Sequence, residues 1–297
     1  MTNYKIIQKR KLWVSISLVI FLISVVALGK WGFKYGIDFT GGSLMEVKYV
    51  QNRPAVDQIQ RSLGQLGLGE LIIQPAGETN YILRFQNTEE TKHQEAIKAL
   101  RSLDASAEEL HYESVGPSVG AELKQKSVYA IFFVLLGILL YISYSFRKVS
   151  KPVASWKYGA SAIIAMLHDA IITMGIFAIL GKYLNLEINT PFVTAILTVI
   201  GYSVHDTIVV FDRTRENLPK SDTDFEGTVN MSVNQTLGRS INTSLTVLLT
   251  LIAIIVFGGA SIRTFALTLT IGIFFGTYSS IFLASPLLVM WANWKKK

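Results

Sequence analysis

The sequence contains no cysteine. A disulfide framework is therefore excluded for any exported part. Histidine is scarce, with four residues, and neither His93 nor His111 stands at the ligand spacing of a zinc motif. There is no P-loop, no nucleophile elbow and no GxGxxG. Nucleotide hydrolysis by this chain is unsupported; no cofactor and no catalytic residue are expected. Charge is also sparse. Only 16% of the 297 residues are Asp, Glu, Lys or Arg, against roughly 25% in a soluble protein.

Apolar sequence fills the gap. Half of the residues are hydrophobic, and runs of about 20 of them read as membrane helices. They place spans at 12–29, 123–146, 156–181, 190–211, 239–258 and 264–291. The first follows Lys5, Lys9, Arg10 and Lys11. Its apolar stretch exceeds the usual 7–15-residue core of a signal peptide and reads as an uncleaved anchor.

Lys and Arg set the orientation. They cluster in the N-terminal segment 1–11 and after the second span (Arg147, Lys148, Lys151, Lys157). They recur in the 212–238 link and its edge (Arg213, Arg215, Lys220, Arg239) and in the 292–297 tail (Lys295 to Lys297). The two short links on the other side carry Lys182 and Arg263. Both termini are expected in the cytoplasm. The net charge of +7 is then a topology signal, and no nucleic-acid partner is expected.

Residues 30–122 differ in kind, with 13 Asp and Glu against 9 Lys and Arg. SLMEVKYV alternates as a strand does, and PAVDQIQRSLGQLG carries apolar residues at helical spacing. ELIIQ and YILRF read as strands joined by PAGETN. TEETKHQEAIKALRSL (88–103) reads as a helix and ELHYESV as a last strand. The order βαββαβ predicts a ferredoxin-like extracytoplasmic domain on a six-helix bundle.

Two apolar runs carry a His–Asp pair: AIIAMLHDAIITMG (162–175) with His168 and Asp169, and VIGYSVHDTIVVFD (199–212) with His205 and Asp206. A charged residue at the centre of a membrane helix costs about 2.5–3.5 kcal/mol on insertion scales. Helical spacing puts Ala162, Ala165, Asp169 and Thr173 on one face of the third span, and Thr198, Tyr202, Asp206 and Val209 on one face of the fourth. Arg239, Thr243, Thr246 and Thr250 share a face of the fifth, beside Asn242. Thr268, Gly272, Gly276 and Ser280 share one of the sixth. These faces predict ionisable groups turned toward the bundle interior. Two readings stand: polar glue between helices, and a proton relay, which two aspartates with adjacent histidines fit better. Asp212, near the cytoplasmic end, reads as a solvated or loop-anchoring charge.

In the 212–238 link, Thr223 and Glu226 fit a capping box. Phe225, Val229, Val233 and Leu237 follow at every fourth residue. This reads as an amphipathic helix, lying on the membrane or docking a partner.

Taken together, GIDFTGG (36–42), SVGPSVGAEL (114–123), LHDAIITMGIFAILG (167–181), GYSVHDTIVVFDRTREN (201–217), QTLGRSINTS (235–244), FGG (257–259) and IGIFFGTYSSIFLASPLL (271–288) carry a resemblance over nearly the whole chain. The chain resembles the SecF branch of the SecD/SecF family, within the proton-driven RND superfamily. The resemblance implies a multi-pass protein of the bacterial inner (plasma) membrane. With a SecD-like subunit it would use the proton motive force in late steps of preprotein export through SecY, SecE and SecG, after SecA. It implies Asp206 as proton carrier, Arg239 as its charge partner and Asp169 as relay or support, with His205 and His168 beside them. The family more often has Asn where His205 stands. In GIDFTGG, Asp38, Phe39, Gly41 and Gly42 read as a structural motif, with Asp38 capping a turn that the glycines allow. A small-molecule or lipid exporter of the same superfamily and a passive translocon scaffold are the rival readings.

Overall fold

In a computed structural model, residues 4–50, 53–86, 89–145 and 153–294 are described. Arg147, Lys148, Lys151, Lys295 to Lys297, Thr88 and the end of the second expected span at residue 146 lie outside them. The chain folds as two compact units. One is Tyr35–Val128; the other comprises Met1–Lys34 and Tyr129–Lys297.

The first unit is built on β1 (Gly42–Lys48), α3 (Val56–Gly64), β2 (Ile72–Ala76), β3 (Asn80–Phe85), α4 (Glu90–Leu103) and β4 (Glu108–Val115), after a short turn α2 (Ile37–Thr40). The sheet order is β2-β3-β1-β4, with all three neighbouring pairs antiparallel. This is the ferredoxin-like arrangement that the βαββαβ order predicts. Alternation drives it: in β3 every second residue is buried. Met45, Val47 and Leu83 meet Ile59 and Leu63 of α3 and Ile97 and Leu100 of α4 in one core. Each such side chain contributes about 1.5–3 kcal/mol on burial. The hairpin is tighter than PAGETN suggests. Pro75 and Ala76 stay in β2, paired with Tyr81 and Asn80, which an edge strand tolerates because the missing N–H need not face a neighbour.

The second unit holds α1 (Arg10–Trp31), α6 (Ser155–Leu184), α7 (Thr190–Asn217), α8 (Phe225–Phe257), α9 (Ala260–Ser279) and α10 (Ser285–Trp294); α5 (Pro117–Ser145) begins in the first unit and continues into the second. Among the described residues, six helices are long and apolar enough to cross a membrane: Ile7–Trp31, Pro117–Ile142, Ser155–Leu184, Thr190–Lys220, Phe225–Phe257 and Ile262–Asn293. The chain is a multi-pass membrane protein. Over half of the apolar window is buried within the chain for the third, fourth and sixth helices, and under a fifth for the other three. So α6, α7 and α9 with α10 form the centre, while α1, α5 and α8 offer open faces. Gly272 of α9 sits directly on Val199 of α7, where any Cβ would overlap the valine side chain. Close helix approach is what the GIFFG spacing serves.

Two features refine the helices. The sixth span, Ile262–Asn293, contains a π-helical turn, Ser280–Ala284, between α9 and α10. Pro286 explains it, since proline has no N–H for the helical ladder and clashes with the carbonyl four residues back. The amphipathic helix of the link runs straight into the fifth span. It forms the first turns of α8, and its apolar face (Phe225, Val229, Val233, Leu237) packs on Ile6, Ile7, Val210, Ile281 and Val289. The cap of α8 is Asp224, which accepts from the Gly227 N–H at 2.8 Å; Glu226 instead pairs with Arg10 at 2.6 Å. Thr223 and Glu226 therefore make no capping box.

Candidate functional site in the membrane bundle

Asp169 sits in the middle of α6 and is fully buried. Its Oδ2 accepts from Ser203 of α7 at 2.6 Å and from Ser279 of α9 at 2.5 Å, and its Oδ1 meets the His168 Nδ1 at 2.9 Å. Three central helices thus converge on one carboxyl. Ala162, Ala165 and Thr173 are buried on the same side, as the spacing predicts. One turn along, Thr207 and Ser280 share a hydrogen bond of 2.8 Å, and Ser280 Oγ also donates to the Ser203 carbonyl at 3.3 Å. The π turn begins at this serine.

Asp206 is 4% exposed and differs in one respect: its Oδ2 has no hydrogen-bond partner. The Nε2 of His168 is likewise buried and without one, while the ring stacks near Phe21 at 6.2 Å. Buried polar atoms are rarely left so, because each costs about 1–3 kcal/mol. The bundle therefore holds one closed carboxyl and one open carboxyl, one helix apart.

Arg239 does not join them. It lies on the outer side of α8, exposed, with Asn242, Thr243, Thr246 and Thr250. The side of α8 turned into the bundle carries Ser240, Ser244 and Leu251 instead. Thr198 and His205 also fall on the exposed side of α7. Arg239 lines a polar cleft of about 510 Å³ with Val209, Asp212, Arg213, Glu216, Gln235 and Thr236. Asp212 is paired there with Arg215 at 2.9 Å. Val209 follows Asp206 by three residues and so neighbours it on α7. The cleft therefore ends about one helical turn from the open carboxyl.

Ser203, Thr207, Ser244, Thr277 and Ser279 escape sequence reading. Ser244 and Thr277 lie 2.5 Å apart, with Tyr202 at 3.3 Å from Ser244. Serine and threonine are common in membrane helices, where they bond the carbonyl of the preceding turn, so their presence alone gives no signal. Among the described residues no group of three or more His, Asp or Glu could hold a metal ion.

In the sheet unit, Asp38 and Phe39 are buried within α2, whose N-cap is Gly36. Gly41 has φ +75°, and a Cβ there would stand 2.7 Å from the Cα of Pro117. Gly42 starts β1 opposite Val115. The GIDFTGG and SVGPSVG stretches therefore brace each other: the glycines let β1 start directly against the first turn of α5.

The sequence profile for "Protein export membrane protein SecD/SecF, C-terminal" matches residues 95–294, and that for the "SecD/SecF GG Motif" matches residues 26–52. The chain belongs to the SecD/SecF family. Protein translocase subunit SecF of Thermobaculum terrenum is 45% identical over 97% of this chain and 94% of its own length. SecF of Synechocystis sp. is 41% identical over 95% and 92%. The crystal structure of SecDF from Thermus thermophilus, a translocon-associated membrane protein, superposes with a TM-score of 0.84 at 33% identity. It covers 98% of this chain, which spans only 39% of that longer one. The family match falls on both regions built above, the glycine motif of the sheet unit and the helices that carry Asp169 and Asp206.

Proposed function

We propose that the chain is the SecF-type half of a proton-driven export motor. With a SecD-type subunit it uses the proton motive force to pull preproteins through SecY, SecE and SecG after SecA has acted. The open carboxyl of Asp206 carries this reading. A buried acid whose oxygen has no partner can take up or release a proton without breaking an internal bond, and the polar cleft beside Val209 offers water a route to within one turn of it. Asp169, with both oxygens engaged, supports the geometry, and His168 is its neighbour in the relay. One proton falling through 100 mV supplies about 2.3 kcal/mol, enough to bias a two-state bundle about fiftyfold.

The outer stripe of α8 supports the second subunit. Arg239, Asn242, Thr243, Thr246 and Thr250 on a membrane helix fit a polar partner helix far better than lipid. Arg239 would find its carboxylate on the SecD-type chain, with His205 of α7 on the same open side. The matched SecDF chain has room for that second half. The Lys and Arg distribution supports a bacterial inner membrane location with both termini cytoplasmic and the sheet domain outside. The work is transport, without a catalytic residue.

Preprotein export into inverted membrane vesicles, with and without an imposed proton gradient, tests the reading. Asp206→Asn keeps size but cannot titrate. The expected result is a protein that inserts and co-purifies with its SecD-type partner but loses the gradient-stimulated part of export. Wild-type stimulation by this variant would overturn the relay and leave a passive scaffold.

A further inference from the structure

The bundle carries a lateral groove of about 780 Å³ between the start of α1, the middle of α8 and the end of α9. One wall is the stripe Leu237, Ile241, Leu245 and Leu248, spaced to share a face of α8; Trp13 and Phe274 stand among the residues opposite. Leu245 is 51% exposed and Phe274 57%, so the groove opens outward. Three hydroxyls lining it are already engaged: Ser244 with Thr277, and Tyr278 with Ser17 and the Trp13 carbonyl. Two charges at its end are not. Lys5 and Lys9 line the groove, and neither makes an ion pair or hydrogen bond with a side chain among the described residues. Arg10, next to them, has taken Glu226.

Length decides the occupant. From Leu237 to Leu248 the helix rises about 16 Å, half of the ~30 Å hydrocarbon core. The lysine end adjoins Leu237, since Ile6, Ile7 and Trp13 pack with it in one cluster. A groove one leaflet deep, apolar along its length and doubly cationic at the headgroup end, has the shape and charge of one phospholipid. We propose that it binds an anionic phospholipid, with one acyl chain along α8 and α9 and the phosphate on Lys5 and Lys9. Basic pockets between membrane helices select acidic headgroups by this chemistry. The site is independent of the proton reading.

Native mass spectrometry of the full chain in detergent, titrated with phosphatidylglycerol or phosphatidylcholine, tests it. The wild type should prefer phosphatidylglycerol, by about fivefold for each lysine. The double change Lys5→Gln with Lys9→Gln should level the two lipids. Leu245→Trp, which fills the groove, should weaken both. Lys220→Gln, a surface change elsewhere, should alter neither. Equal binding of the two lipids by the wild type, or a preference that survives the double change, overturns the proposal. A benzophenone side chain placed at Leu245 gives a second readout in native membranes. A lipid adduct upholds the site, and an adduct to another protein chain overturns it by showing that a subunit covers the groove.

Discussion

Ser279 donates its hydroxyl to Oδ2 of Asp169 over 2.5 Å, tying the last span to the third through a fully buried carboxyl. Ser203 adds a second bond to the same oxygen from the fourth span. Asp206, by contrast, leaves its own Oδ2 empty. The two aspartates should therefore separate stability from transport.

Ser279→Ala is expected to lower the stability of the bundle by about 1–3 kcal/mol, the usual cost of stripping one partner from a buried polar pair. Asp169→Ala should cost at least as much, because it strips both serine hydroxyls and the His168 ring nitrogen of their buried partner. Asp206→Asn should unfold within about 0.5 kcal/mol of the wild type, since no bond to Oδ2 is lost. Thermal unfolding in one detergent measures all three. A destabilised Asp206→Asn beside an unaffected Ser279→Ala would reverse the assignment.

Gly41 has φ +75° and ψ 169°, a region that L side chains rarely adopt, with the Pro117 backbone at 2.7 Å from an added Cβ. Strain alone costs about 1–3 kcal/mol, and here it is joined by a backbone clash. Gly41→Ala should loosen the start of β1 from α5, seen as faster proteolysis within residues 35–48. Gly116→Ala, one residue before the start of α5 and with open space for an added Cβ, is the control and should resist proteolysis like the wild type.

Much of this was legible beforehand. Period-two and helical spacing gave the βαββαβ order, and the apolar runs gave the spans, because both patterns are imposed by burial. The phase of α8 was not legible. Ser240, Asn242, Thr243, Ser244, Thr246 and Thr250 spread polarity around most of its circumference, so periodicity cannot say which side meets the bundle. Spacing alone turns the stripe with Arg239 inward, whereas Ser240 and Ser244 are the buried ones. A polar membrane face need only avoid lipid; it need not face its own chain. The Asp169 hub was half visible: its own face was right, but Ser203 and Ser279 are chosen by how three helices rotate against each other. The cap of α8 shifted by one residue because Thr223 and Asp224 are both good caps.

The chain's beginning is fastened by side chains of α8. Asn230 Oδ1 accepts from the N–H groups of Ile6 and Ile7 at 3.1 and 3.2 Å, and Asn234 accepts from the Tyr4 N–H at 2.8 Å and donates to its carbonyl at 2.9 Å. Asn230→Leu should free two donors at a buried position. Amide exchange over residues 4–9 is expected to rise at least tenfold, while exchange in α6 and α7 stays unchanged. Unaltered protection of residues 4–9 would show that Ile6 and Ile7 are held by packing alone.

His93 supplies a pH test in the sheet domain. Its Nδ1 lies 3.0 Å from Glu90 and its Nε2 2.9 Å from Glu109, and Tyr112 stacks on the ring at 3.6 Å. A carboxylate can only accept, so both contacts are hydrogen bonds only when the ring carries two protons. Burial opposes that charged form, but the hydrogen bonds and charges of Glu109 and Glu90 outweigh it, and the pKa stands above the ordinary histidine value. The sign follows from linkage. A raised folded pKa means that the imidazolium stabilises the fold fully below about 6.5, the unfolded value, and that this contribution is lost as pH rises through the folded value. Amide exchange of α4 and β4, corrected for its intrinsic pH dependence, should therefore speed up between pH 6 and pH 8.5 in the full chain. In His93→Gln, which keeps a donor but cannot titrate, protection should be lower at pH 6 and flat with pH. A His93→Gln protein that retained the wild-type slope would place the titrating group elsewhere.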